Sequence, residues 1–188
     1  MFDFDSGSEG SGPFINWHAN GRKDGTAAAK SFSMKDGDDR IDLTPKFEKG
    51  VVFDIDNMKS GWALFSANGT DWKWNDTISR FAPKPGDDWK KGVSVPVALS
   101  KDQAGTWSQA GAGTFLAFKE LAKELSDRPA GKLPLVKMTG TFDVDFGGGG
   151  STICAKLTVA KWVDRPEAFD AGDTAAGLAD EPEDDDEF

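Results

Sequence analysis

The sequence is poor in the residues that most site chemistry requires. It has one cysteine, Cys154, so it can form neither an internal disulfide nor a CxxC metal site. A single histidine, His18, makes a multi-histidine zinc centre and a Ser-His-Asp protease poor fits. No run of about 18 apolar residues occurs, so no membrane-spanning helix is expected. The opening Met-Phe-Asp-Phe-Asp is acidic and lacks the basic and apolar regions of a secretory signal. A soluble protein of a reducing compartment, the cytoplasm, is therefore expected, with no metal or cofactor and no enzymatic role.

Tyrosine is also absent, yet there are 14 Phe and 7 Trp in 188 residues. A core alone seldom needs so much indole. Part of it is expected on a surface that binds something flat. The length suits one domain plus a tail, and it suffices to bury a core without staples.

The formal net charge of −10 is unevenly spread. Residues 164–188 hold eleven acids against one base, Arg165, which leaves 21 acids and 21 bases in residues 1–163. The body is thus near neutral and the end is strongly acidic. Residues 171–187 contain only Leu178 as a large apolar side chain, too little burial to offset ordering, so disorder is expected there. The final Asp184, Asp185, Asp186, Glu187 and Phe188 place one hydrophobic anchor beside a dense negative field. That combination suits a docking peptide for basic, pocketed protein partners.

Along the chain, residues 1–13 are rich in Ser and Gly and are expected to form a flexible arm. A domain is expected over 14–166 and a disordered tail over 167–188. The pattern suggests a short strand near 30–34 and a hairpin made by 51–55 and 61–66. Residues 68–76 look turn-rich, and 83–92 look like a loop. A third strand is predicted over 93–99. Phe115, Phe118, Leu121 and Leu125 recur at helical spacing, with Thr114 as N-cap and Arg128-Pro129 closing the run. Strands follow over 133–146 and 153–163, joined by a four-glycine turn.

Three strands, a helix and two strands form the element order of an OB-fold, a small Greek-key barrel. A β-sandwich with a lone helix shares that order. The expected class is mainly β.

Single-stranded nucleic acid needs flat faces for bases and cations for phosphates. The sequence interleaves them: Trp72-Lys73-Trp74, then Arg80, then Trp89-Lys90-Lys91. Trp107 is placed in the loop before the helix. Trp72, Trp74, Trp89 and Trp107 are the first stacking candidates, with Trp17 and Trp62 behind them. Lys73, Arg80, Lys90 and Lys91 are the phosphate candidates. An acidic tail could compete with DNA for the same cationic groove and become free for partners when DNA displaces it.

At this point the chain resembles a family. Its acidic terminus with a final Phe is similar to that of bacterial and phage single-stranded DNA-binding proteins, above all the T7-like phage type. Phe14-Ile-Asn-Trp17, Gly61-Trp62, the 83–92 loop, Gly131-Lys-Leu-Pro134 and Trp162-Val-Asp-Arg-Pro166 resemble stretches of the phage proteins. The resemblance implies an OB-fold and sequence-independent binding of single-stranded DNA. It also implies tail-mediated contact with enzymes of replication, recombination or repair in an infected host's cytoplasm. A homodimer is compatible with it.

Other chemistries fit less well. Asp3/Asp5, Asp54/Asp56 and Asp143/Asp145 could share strand faces and hold Mg²⁺, but solvent-facing positions explain them. Asp36-Gly-Asp38-Asp39 lacks the closing Glu of a calcium loop. The four glycines lack the Lys-Ser/Thr of a P-loop, and they form a hairpin tip that could close over a bound strand. A Trp-rich carbohydrate-binding module and a virion structural or DNA-mimic protein remain the competing classes.

Overall fold

The computed structural model describes residues 13–170. The arm, apart from Pro13, and the acidic tail from 171 onward lie outside the described residues. The elements are β1 (Phe14–Asn20), β2 (Ala29–Asp36), β3 (Asp39–Asp42), α1 (Thr44–Lys49), β4 (Val51–Phe53), β5 (Lys59–Ser66) and β6 (Gly69–Trp74). They continue with β7 (Lys90–Ala98), β8 (Ala104–Ala110), α2 (Ala112–Leu125), β9 (Leu133–Gly147), β10 (Gly150–Val163) and a 3-10 turn at Glu167–Phe169. The class is mainly β, with one many-stranded sheet and one main helix. Among the described residues no helix is long and apolar enough to cross a membrane.

The strands lie in the order β10-β9-β4-β7-β8-β1-β2-β3, with β5 also beside β7 and β6 hairpinned on β5. Neighbours are antiparallel except β1 and β8, which run parallel.

Four expectations are corrected. First, 51–55 and 61–66 do not pair with each other. β4 and β5 lie end to end along one edge of β7, with Val52 opposite Ala98 and Lys59 opposite Ser94. Residues 54–58 loop out between them. Second, the segment 68–76 contains a strand, β6. Third, residues 104–110 form β8, so Trp107 is in a strand and not in a loop. Fourth, α2 begins at Ala112 after Gly111, so Thr114 lies inside the helix and is not its cap.

The local reasons are legible in the sidechains. Asp42 accepts from the backbone N–H and hydroxyl of Thr44, and Pro45 suits the first turn of α1. That turn delivers Phe47 to the core. Phe118 and Leu121 do the same from α2. Trp107 sits centrally, within 4.7 Å of Phe118 and 5.0 Å of Phe32 between ring centres, and Phe32 stacks on Phe47. Val93, Val95, Val97, Ile15, Val51 and Val136 fill the space around these rings.

The sheet curls until β1 reaches β10, and side chains make the seam. Gln109 holds the Trp17 backbone on both sides, its Oε1 accepting from N–H and its Nε2 donating to the carbonyl. Trp107 Nε1 donates to the same Oε1. Across the gap, Trp17 Nε1 donates to the Ile153 carbonyl at 3.0 Å.

The chain beyond Pro166 is still anchored. Ala168 is buried, Arg165 lies over the Phe169 ring, and Arg165 pairs with the buried Asp54 at 2.8 Å. Arg128 holds Asp56 through two hydrogen bonds of 2.6 and 2.9 Å. These two arginines use the Asp54/Asp56 pair for structure. Among the described residues no cluster of three or more potential metal ligands occurs.

Candidate nucleic-acid interface

The β5–β6 hairpin and the start of β7 bring most of the candidate residues together. Paired residues in an antiparallel ladder share a face. On the outward face, Gly61 stands between Trp74 and Gly92, and Ala63 between Trp72 and Lys90. Phe65 is on that face too and is half exposed. On the opposite face, Trp62 stands between Lys73 and Lys91.

Small residues make the outward face possible. A Cβ on Gly92 would lie 2.6 Å from Trp72 Cζ3, and one on Gly61 would lie 2.4 Å from the Lys73 carbonyl oxygen. The hairpin therefore folds closely against β7, and the Trp72 ring rests on Gly92. Trp74 stacks on Trp72 with ring centres 4.4 Å apart and planes 11° from parallel. Trp74 remains 38% exposed. The result is a preformed aromatic platform whose outer ring is open to solvent.

The linker from 75 to 89 is tied down beneath it. Asn75 donates to Ser60 Oγ and accepts from the Ala82 N–H, and Ser60 Oγ donates to the Ile78 carbonyl. Trp62 Nε1 donates to the Ala82 carbonyl, and its ring meets Phe81 edge-on. Trp89 is half-buried, with Lys73 Nζ 4.9 Å above its ring. Lys91 Nζ lies over three rings, 4.8 Å from Phe81, 5.2 Å from Phe115 and 5.8 Å from Trp62. Such contacts hold a cation in place without neutralising it.

Among the described residues Lys73, Arg80, Lys90 and Lys91 take part in no ion pair. By contrast Arg128, Lys132 and Arg165 are each bound to an aspartate. Among the described residues unpaired cations also occur elsewhere on the surface; these four lie on β6, β7 and the linker between them.

Three of the stacking candidates, Trp107 among the first and the reserves Trp17 and Trp62, are core. Trp107 is 1% exposed, Trp17 5% and Trp62 8%, so none offers an open ring face to a base. The tail residues Asp184, Asp185, Asp186, Glu187 and Phe188 lie outside the described residues.

The sequence pattern also missed aromatic residues here. Phe146, half exposed beside the glycine tip of the β9–β10 hairpin, overhangs a cleft of about 390 Å³ lined with Lys90, Lys91, Ala112, Phe115 and Leu116. Gly147, Gly148 and Gly149 all have positive φ, which glycine alone adopts freely. A large apolar residue next to such a tip is the signal that points to Phe146. Phe81 lay hidden in a loop with no periodicity.

His18 lies outside this cluster, on β1, with Nε2 2.7 Å from Ser33 Oγ. Burial chiefly, then the charges of Arg40 and Arg22, hold its pKa below the ordinary histidine value, while Asp24 opposes them. Burial raises the Cys154 thiol, in keeping with an inert packing role.

Comparison with known proteins adds nothing to this geometry: no family model, no curated protein and no solved structure matches the chain.

Proposed function

We propose that the chain binds single-stranded DNA without strong sequence preference, as a non-enzymatic protein of phage DNA replication, recombination or repair. One observation carries this reading. A solvent-open tryptophan stack shares its sheet face with Lys90, while Lys73 and Lys91 leave the same strands on the opposite face, and none of these cations is in an ion pair among the described residues. Bases stack on the open face of Trp74 and against Trp89, each stack worth about 1–3 kcal/mol. Phosphates take the unpaired lysines, so affinity falls with salt.

An OB-fold is the architecture we propose with it. With β4 and β5 taken as one interrupted strand, the order β10-β9-β4-β7-β8 supports this, because α2 then lies between the third and fourth strands of a five-stranded barrel. Lys90, on the outward face of β7, and Phe146 then line one groove. In this reading the acidic tail competes with DNA for that groove and recruits partner enzymes in the host cytoplasm.

The test is a titration with poly-dT followed by tryptophan fluorescence at low and moderate salt, with duplex DNA and a soluble glucan as controls. Quenching by poly-dT that weakens with salt is expected. A response to the glucan alone would favour a carbohydrate-binding module. Silence toward every ligand would remove the binding function.

A further inference from the structure

The outward face does not stop at the tryptophans. Strand parity carries it across β8 to the three N-terminal strands. Gly92 and Ser94 on β7 stand opposite Ala110 and Ser108 on β8, and the two serine hydroxyls meet at 2.6 Å. On β1, Ile15 and Trp17 point into the core, so Asn16 and His18 point outward. Asn16 pairs with Ser33 and His18 with Ser31 on β2; Ser33 pairs with Asp42 and Lys35 with Arg40 on β3. The rows from Gly92 and Ser94 through β8 and β1 to Ser31 and Ser33 on β2 thus carry only glycine, alanine, serine, asparagine and histidine, and Lys35 and Arg40 stand one pair further along β2 and β3.

The far end of that track carries Arg40, Lys35 and His18 beside one acid, Asp42. Arg40 donates from its guanidinium to Ser33 Oγ at 3.0 Å, and His18 reaches the same oxygen from the other side. Ser33 is itself 2% exposed, so it fixes both side chains from beneath. The acids nearby are engaged elsewhere. Asp42 caps Thr44, and Asp24 is held by Arg22 and Thr26. Among the described residues Arg40 has no ion pair.

We propose that Arg40 and His18 form a phosphate subsite for the same single strand whose bases stack on the open face of Trp74. The subsite rests on the single-stranded DNA reading and extends it past the platform. From β7 under Trp72 to β2 is three strand spacings, roughly 14 Å, a span that a strand lying across the sheet covers. The floor along the Gly92 and Ser94 rows carries only small side chains and His18, with Asp42 at the end of the Ser94 row and the exposed Phe14 at its margin.

His18 is the only histidine in the chain, so its ring proton resonance identifies itself. The groups that face it are Arg40 and Lys35 from β3 and β2, Asp42 from β3, Ser31 and Ser33 from β2, Ala110 and Ser108 from β8, and Arg22 and Asp24 from the following loop. A phosphate placed on Arg40 adds a negative charge to this set and favours the protonated ring.

The experiment is an NMR pH titration of the His18 ring in the full chain, alone and saturated with oligo-dT, with tryptophan quenching recorded on the same samples. The titration midpoint is expected to rise when DNA is bound. Arg40→Gln should weaken oligo-dT binding about fivefold at low salt and lower the salt slope by about 0.7, the share of one phosphate on a single strand. Lys123→Gln on α2, away from the track, should leave both nearly unchanged. Quenching with an unmoved histidine, or an Arg40→Gln variant with the parent slope, would overturn the subsite and leave the platform standing. Neither quenching nor a histidine shift would instead remove the DNA reading on which it rests.

Discussion

Replacing Trp74 with alanine separates a binding indole from a structural one. Trp74 is 38% exposed and touches the body mainly through its stack on Trp72. Its removal forfeits one aromatic pair, about 0.5–1.5 kcal/mol of folding stability, in addition to the burial of the covered part of the ring. The open face offered to a base disappears with it, which removes about 1–3 kcal/mol of binding. Trp72 still presents a ring, so the loss should sit near the middle of that range, about tenfold in affinity. No charge is removed, and the salt slope should therefore stay as it was. Trp107→Ala is the contrasting variant. It empties a fully buried site, costs about 3–5 kcal/mol, and strips Gln109 of one donor at the seam. That is a large part of a typical domain's stability. Anisotropy of labelled oligo-dT at several salt concentrations measures the first variant, and urea unfolding measures both. Trp74→Ala binding with parent affinity while Trp107→Ala folds normally would refute the division of the indoles.

Further outcomes follow from other parts of the fold. Gly92→Ala places a methyl 2.6 Å from Trp72 Cζ3 and 2.9 Å from Ala110 Cβ, so the ring must lift. Oligo-dT affinity should drop several-fold without loss of any DNA-contacting group, alongside about 1–3 kcal/mol of overpacking strain; parent affinity would show the stack is not a platform. Deleting residues 180–188 should tighten oligo-dT binding at low salt and abolish capture of replication enzymes. Capture that survives the deletion would dispose of the recruitment role. Stability should fall as pH drops below about 6.5, because the unfolded chain protonates His18 more readily than the folded one does. Below about 4 a second loss should begin, since the Arg128 hydrogen bonds hold Asp56 below its ordinary value and an unfolded Asp takes up its proton first. A chemical-denaturation series between pH 3 and 8 reads both, and His18→Gln should erase only the upper step.

The parts of the fold that were legible in the sequence have a strong period of their own. Phe115, Phe118 and Leu121 mark α2, and the alternation of Val93, Val95 and Val97 marks β7. The glycine run marks the β9–β10 turn. β8 was not legible because Trp107 is its only large apolar side chain, flanked by Thr106 and Ser108. Its burial comes from β7 on one edge and β1 on the other, partners that no local window contains. β6 was hidden for a similar reason: its polar positions face solvent, and Trp72 and Trp74 looked like loop residues between Asp, Lys and Asn. Flanking polarity did separate Trp72, Trp74 and Trp89 from Trp62. It failed for Trp107, whose neighbours are equally polar. Spacing along the chain also gave no hint that Arg40 and His18 share a serine beneath them, because β2 and β3 bring them together only after pairing.

The seam between β1 and β10 bears on how the chain folds. Trp17 depends on Gln109, 92 positions later, and on Ile153, 136 positions later. Closing loops of that length before any contact repays them slows a folding reaction. On the ribosome β1 can pair with β2 soon after both emerge, yet its parallel neighbour β8 and the closing acceptor Ile153 come much later. Trp17 therefore meets Phe32 early but waits for Gln109 and Ile153. In refolding, the pairing of β1 with β8 should form late, after the β1–β2 ladder, and Gln109→Ala should hasten unfolding far more than it slows folding.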